Sequence, residues 1–398
     1  MRSRRAVAAL LVLSACGAAC TALNGVSNFT ECSSDCGVER RDTTVVSDTG
    51  PGESAVVDTA VVDTAGDSGV TKNLVFITST LHTGSFGGLA AADTICRARA
   101  TEAGLQGTFR ALLSTSITSA KSRLAGARGW VRVDGLPFAD TVDDLFVTQR
   151  IYNPIGLNEK GARAAMLQYW TGSRETGLTD TDKTCKDWSS AMSPDSARLG
   201  TGAGGPSAWV TANFGAYRYT CDVPQSLACF GVDSATPLVV TGVASGKRIF
   251  SSSSVLPGGG RAAFDATCAS EALAAKLTGT YKALVATTTE PPAARLNSVA
   301  VYVRPDGQRI GTGADIIARE IRTGLWQRAS GTYITSSLVW VGSTMPADVG
   351  TSATTCSDWG SSSVTESGLV GNLRATTSFW SEGSIGCDSG RALYCAEQ

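Results

Sequence analysis

Eight cysteines, at 96, 185, 221 and 229 and again at 268, 356, 387 and 395, carry the clearest chemical signal in this chain. Their intervals are 89, 36 and 8 residues in the first set and 88, 31 and 8 in the second. In an exported chain, which the N-terminus predicts, such cysteines read as disulfides rather than as a metal or redox set, with three pairings open within each set. Catalytic chemistry is poorly supplied. The chain has 1 histidine, His82, in a glycine-rich turn. A Ser-His-Asp or Cys-His nucleophile needs that histidine beside it, and a disulfide-bonded cysteine is not a nucleophile. Asp143 with Asp144, and Asp180 with Asp182, are the carboxylate pairs a hydrolase would use, but the second set keeps no matching pair. Structural zinc would want three or four Cys or His ligands. Asp180, Asp182 and Asp187 form a candidate calcium set, because hard cations prefer clustered carboxylates. The preferred reading is that Asp187 and Asp358 satisfy backbone donors in the turn after each cysteine. Gly200 to Gly205 matches G-x-G-x-x-G, yet no strand precedes it and Pro206-Ser207 stands where a helix would begin, so it reads as a loop. The expectation is a binding protein, not an enzyme, without metal or cofactor.

The elements that position these residues begin with an export signal. Arg2, Arg4 and Arg5 precede a short apolar run, Ala6 to Leu13, too short to span a bilayer. Leu13-Ser14-Ala15-Cys16 resembles the bacterial lipobox, which predicts a signal peptide over residues 1–15 and a lipidated Cys16. Gly17 then favours the outer membrane of a Gram-negative bacterium, surface-exposed or facing the periplasm. The acyl chains would hold the chain to the membrane, each buried CH₂ contributing roughly 0.8 kcal/mol. Residues 16–71 follow as a lipidated start and a tether whose stretch from Asp42 to Thr71 has 6 acids and no Lys or Arg, a composition that cannot offset its ordering entropy. Cys20, Cys32 and Cys36 lie upstream, and their pairing is open. The net charge of −1 gives no bulk attraction to nucleic acid.

Self-similarity organises the rest. GGLAAADTICRARATEAGLQGTFRALL, from Gly87, matches GGGRAAFDATCASEALAAKLTGTYKALV, from Gly258; TCKDW at Thr184 matches TCSDW at Thr355. Two domains are expected, residues 72–230 and 246–398, joined by a linker over 231–245, each large enough for its own core. In each, a strand (Leu74–Thr78; Arg248–Ser252) leads through a glycine-rich turn to a helix (Ala90–Ala103; Ala262–Lys276) and a second strand (Thr108–Leu113; Thr280–Val285). A short helix is expected at Ser116–Leu124, and short strands near Trp130–Val133 and Val301–Arg304.

The opening block of each copy, with TGS…TCKDWSS and the closing Cys221 and Cys229, resembles the endostatin domain of collagens XV and XVIII. It is also similar to a bacterial domain family that includes the endostatin-like lipoproteins of Leptospira. The resemblance implies an α+β, C-type-lectin-like (endostatin-like) fold in both copies. It also implies nested disulfides: Cys96–Cys229 and Cys185–Cys221, then Cys268–Cys395 and Cys356–Cys387. The histidine-rich zinc site of endostatin has no counterpart here. Glu290-Pro291-Pro292 lacks the Trp-Asn-Asp that follows the sugar motif of calcium-dependent lectins.

The function so implied is adhesion to, or recognition of, an extracellular protein or glycan by two binding modules on a membrane-anchored stalk. Trp170 and Trp340 are candidate floors of a ligand groove, although tryptophans repeated between copies pack most simply against a disulfide. Arg97, Arg99 and Arg110, with Lys121, Arg123, Arg128 and Arg132 nearby, form a candidate polyanion face, the alternative being a solvated surface with scattered salt bridges. The competing functional class is a structural envelope lipoprotein that contacts peptidoglycan or other envelope proteins; a carboxylate hydrolase is the remote one.

Overall fold

A computed structural model describes residues 72–212, 219–243, 245–335 and 338–398. Cys16, the cysteines at 20, 32 and 36 and the tether lie outside the described residues. Strand β1 (Asn73–Ile77) is apolar from Leu74 onward because Val75, Phe76 and Ile77 are buried on both faces. Its neighbours are β3 (Trp130–Arg132), parallel, and β9 (Ser226–Gly231), antiparallel. Helix α1 (Gly88–Glu102) buries Ala92, Cys96 and Ala100, a stripe with a period of one helical turn. Cys96 bonds to Cys229 on β9 and so rivets the helix to the sheet. Strand β2 (Phe109–Ala111) adds to β9 on its other side. A short α2 (Ala120–Arg123), β4 (Pro137–Ala139), α3 (Val142–Phe146), β5 (Gln168–Trp170), a turn α4 (Cys185–Trp188) and the strands β6 (Ser196–Ala197), β7 (Leu199–Thr201) and β8 (Tyr219–Thr220) complete the first copy. Its main sheet runs β4-β3-β1-β9-β5-β7.

The second copy repeats the plan with β10 (Lys247–Ser251), α5 (Gly260–Ala274), β11 (Tyr281–Ala283), β12 (Val301–Val303), β13 (Arg309–Thr312), α6 (Gly313–Ala318), β14 (Leu338–Trp340), α7 (Cys356–Trp359), β15 (Ser367–Asn372), β16 (Gly383–Gly386) and β17 (Tyr394–Glu397). Helix α5 buries Phe264, Cys268 and Ala272 at the same spacing, and Cys268 bonds to Cys395 on β17. Its main sheet is β11-β17-β10-β12-β13, while β14-β15-β16 form a second sheet. Where β5 pairs with β9 in the first copy, a single parallel bridge, Val339 to Ala392, joins those two sheets. The protein is therefore a mixed α and β fold, mostly antiparallel, with parallel pairs at β1–β3, β10–β12 and β5–β9.

Every sheet stays within one copy, but packing does not. Gly204 and Ala375, equivalent positions of the two copies, form an antiparallel bridge. Gly205 N–H donates to the Arg374 carbonyl (2.8 Å) and Thr376 N–H to the Ala203 carbonyl (2.9 Å). These two bonds exchange equivalent residues, as in an isologous contact between identical subunits. The connecting segment is held too, by Leu238 N–H to the Asp140 carboxylate (2.8 Å) and Val243 N–H to the Gly307 carbonyl (2.9 Å).

Candidate functional site

The Thr-Cys-x-Asp-Trp motif forms an unusual turn. Cys185, Lys186, Asp187 and Trp188 have φ of 48°, 52°, 56° and 67°; Cys356, Ser357, Asp358 and Trp359 have 49°, 53°, 55° and 66°. A left-handed turn of non-glycine residues costs about 1–2 kcal/mol per residue, so its surroundings must impose it. Three ties do so in each copy. The cysteine is bonded to Cys221 or to Cys387. The aspartate accepts from the Ser116 N–H (2.7 Å) and hydroxyl (2.6 Å), or from the same groups of Thr288 (both 2.7 Å). The indole N–H of Trp188 donates to the Ser114 carbonyl (2.8 Å), and that of Trp359 to the Ala286 carbonyl (2.7 Å). Burial opposes ionisation of Asp187, but the Ser116 and Thr184 hydrogen bonds outweigh it and hold the carboxyl below the usual aspartate value.

The acidic candidates do not converge on a cation. Asp180 is buried and paired with Arg198 and Arg174; Asp182 is exposed; Asp187 is committed to Ser116. Among the described residues no three His, Cys, Asp or Glu side chains gather into a metal-binding group. Asp144 caps α3 through the Thr141 N–H (3.2 Å) while Asp143 faces solvent with Lys121 (3.4 Å). Trp170 and Trp340 are both 0% exposed. Their indole N–H groups donate inward, to the carbonyls of His82 (2.7 Å) and Val255 (3.2 Å), so neither offers a face to a ligand. His82 is half-buried against the Thr80 hydroxyl (3.0 Å), and burial, with help from Arg99, lowers its pKa.

The arginines divide. Arg123 is held by Asp93, whose carboxylate also accepts from Ala111 N–H (2.9 Å); Arg295, Asp265 and Ala283 repeat this in the second copy. Arg99 pairs with Glu102. Arg97 and Arg110 are exposed, and among the described residues their side chains hydrogen-bond only to the Thr94 hydroxyl (2.9 Å) and the Arg123 carbonyl (2.7 Å).

A further feature was not among the candidates: a cleft of about 680 Å³ between the copies. The first copy contributes Arg132, Gly156, Arg163 and Gly202, and the second Arg319, Ile321, Arg322 and Thr376. The equivalent half of the contact is closed. There Trp326, fully buried, enters the core of the first copy, and its indole N–H donates to the Ile151 carbonyl (2.8 Å). Arg304, also fully buried, lies 5.3 Å from the Trp326 ring and 5.5 Å from that of Tyr333. It pairs with Asp306 (2.7 Å) and donates to the Tyr152 carbonyl across the contact (2.8 Å). Tyr152 and Tyr333 meet edge to face at 6.2 Å.

A scan against protein-family models finds no match to this chain, and a search of curated proteins finds none either.

Proposed function

We propose that this protein is a lipid-anchored envelope protein, held by Cys16, whose two C-type-lectin-like domains recognise extracellular glycoproteins or glycans. The reading is carried by the first copy's exposed α1–β2 surface. There Arg97 and Arg110 have no carboxylate partner among the described residues, whereas the equivalent positions of the second copy hold Ala269 and Lys282. Unpaired guanidinium groups on an exposed face suit sulfated or carboxylated partners, because they can engage an oxyanion bidentately without first losing an ion pair. Four disulfides in the folded part agree with an oxidising compartment and so with export. The repeated carboxylates of the Cys-x-Asp-Trp turns are occupied by backbone donors, which favours recognition through the loops and the arginine face over carboxylate chemistry.

The test is binding of the purified chain to an array of sulfated, carboxylated and neutral glycans and of matrix glycoproteins. An Arg97→Ala/Arg110→Ala variant is expected to lose most of the signal on acidic glycans. Absence of binding to every arrayed ligand sinks the reading. Protease treatment of intact cells separates a surface position from a periplasmic one.

A further inference from the structure

The inter-copy cleft is the open counterpart of a filled position. The bridges Leu157 to Arg163 and Gln327 to Tyr333 align the two copies locally, and Gln149 and Arg319, both at positive φ, agree with that register. Gly156 therefore stands where the second copy has Trp326, Arg163 where it has Tyr333, and Arg322 where the first copy has Tyr152. One half of the contact holds an indole and an edge-to-face tyrosine pair. The other half has no ring at all and carries two arginines in place of the tyrosines.

What the cleft lacks follows from what its twin contains. Arg132, like Arg304, is anchored by an aspartate two residues on and donates to a carbonyl of the same loop, Pro154 (3.1 Å) beside Gly324 (3.2 Å). Arg304 is covered by two rings; Arg132 lines an opening. The Ile321 carbonyl, the counterpart of the one that accepts from Trp326, accepts no hydrogen bond among the described residues. Arg163 and Arg322 are exposed and form no ion pair among the described residues. The lining carries four arginines, Arg132, Arg163, Arg319 and Arg322, against one carboxylate, Glu320, an excess of positive charge that favours an anion. Gly205, which must be glycine to admit Trp326 because an added Cβ would lie 2.4 Å from the ring, is matched in the open half by Thr376.

We propose that this cleft binds a small aromatic carboxylic acid. Its ring would take the place the Trp326 indole holds in the other half, stacked on the Arg132 guanidinium as Arg304 is stacked on Trp326. Its carboxylate would lie between Arg163 and Arg322, where guanidinium forks accept it with charge-assisted hydrogen bonds. An indole N–H would further donate to the Ile321 carbonyl. The site belongs to the pair of copies and to neither alone, and it is independent of the Arg97–Arg110 face.

Calorimetric titration of the full chain with indole-3-acetate and with phenylacetate tests it, using indole and benzene as the separated rings and acetate as the separated carboxylate. Each acid is expected to bind at least tenfold more tightly than either half, with indole-3-acetate ahead. Arg163→Tyr/Arg322→Tyr, which restores the residue types of the filled half, should weaken the acids at least tenfold and leave indole little changed. Gly156→Trp should abolish binding by filling the cleft. Because Gly156 has a φ of 54° that variant can fail to fold, and the arginine pair then decides alone. Failure of both acids to bind more tightly than their separated halves, or binding that the arginine variant leaves unchanged, overturns the proposal.

Discussion

Trp326 of the second copy and Ile151 of the first are joined by an indole N–H to carbonyl hydrogen bond of 2.8 Å, in a core that belongs otherwise to the first copy. Truncating a fully buried tryptophan costs about 3–5 kcal/mol, and here the loss should also loosen the contact between copies. Trp326→Ala is expected to lower chemical stability by that amount. Added indole should restore part of it by refilling the hole, by the same linkage that lets any ligand of the folded state stabilise it. A melt insensitive to indole would argue against a preserved, ring-shaped vacancy.

Gly205 and Gly324 both lie against the Trp326 ring, with an added Cβ falling 2.4 and 2.0 Å from it. Gly205→Ala should therefore destabilise by about 1–3 kcal/mol through overpacking, although alanine is the more favourable residue in most backbone settings. In the Trp326→Ala background the penalty should shrink, and a double-mutant cycle reads the coupling directly.

Asp187 and Asp358 each hold a left-handed turn by accepting a backbone N–H and a hydroxyl. Substitution of either by alanine should cost about 1–3 kcal/mol, the cost of leaving those donors unpaired and the turn unsupported. Amide exchange at Ser116 or Thr288 should accelerate in the copy that is mutated. Exchange unchanged in both would mean that the disulfide and tryptophan impose the turn unaided.

Acid should weaken the contact between copies. Burial pushes the Asp306 carboxyl up, but Arg304, the Tyr333 hydroxyl and the Gln308 amide more than offset it, leaving its pKa below the ordinary aspartate value. The unfolded chain consequently binds a proton first as pH falls. The stabilisation from Asp306 is complete above its unfolded pKa of about 3.9 and is lost as pH drops through the lower folded value. Denaturant melts from about pH 6 to pH 2 should show this loss in the wild type and a shallower slope in Asp306→Asn.

The disulfides should differ in worth. Cys96–Cys229 closes 133 residues and Cys185–Cys221 closes 36. Chain entropy assigns these about 5 and about 4 kcal/mol. Paired alanine replacement of the longer should cost more in denaturant midpoint, and equal losses would show that local strain or residual unfolded structure governs instead.

Much of the frame is legible in the residues. The cysteine intervals and the two Gly-rich-to-helix blocks reveal a repeat, and α1 and α5 lie within two residues of their expected bounds. The small difference arises at the start. Gly87 and Gly88 are left-handed and no side chain caps α1, so the usual Ser, Thr or Asp signal is missing. The turns at Cys185 and Cys356 are illegible for a stronger reason: no glycine or asparagine marks four consecutive positive φ values, and tertiary ties override local preference. Trp170 and Trp340 show the same limit. An aromatic repeated between copies suits a groove or a core, and only the carbonyl that receives its N–H separates them. The cleft escapes notice because its signal is a difference between copies, Gly156 against Trp326, at a place where the numerical offset has drifted from 172 to 170. Hydrophobic patterning records what each copy buries alone, not what one lends to the other.

The reciprocal bridge at Gly204 and Ala375 makes this chain a dimer with a covalent leash. Two separate subunits with such a contact would associate only above a threshold set by their abundance, and dilution would part them. Here the short joining segment keeps the halves at high effective concentration wherever the protein is, even when molecules are sparse. Freed from having to match an identical partner, each half of the contact can change by itself, and Gly156 facing Ile321 is where that freedom has been used.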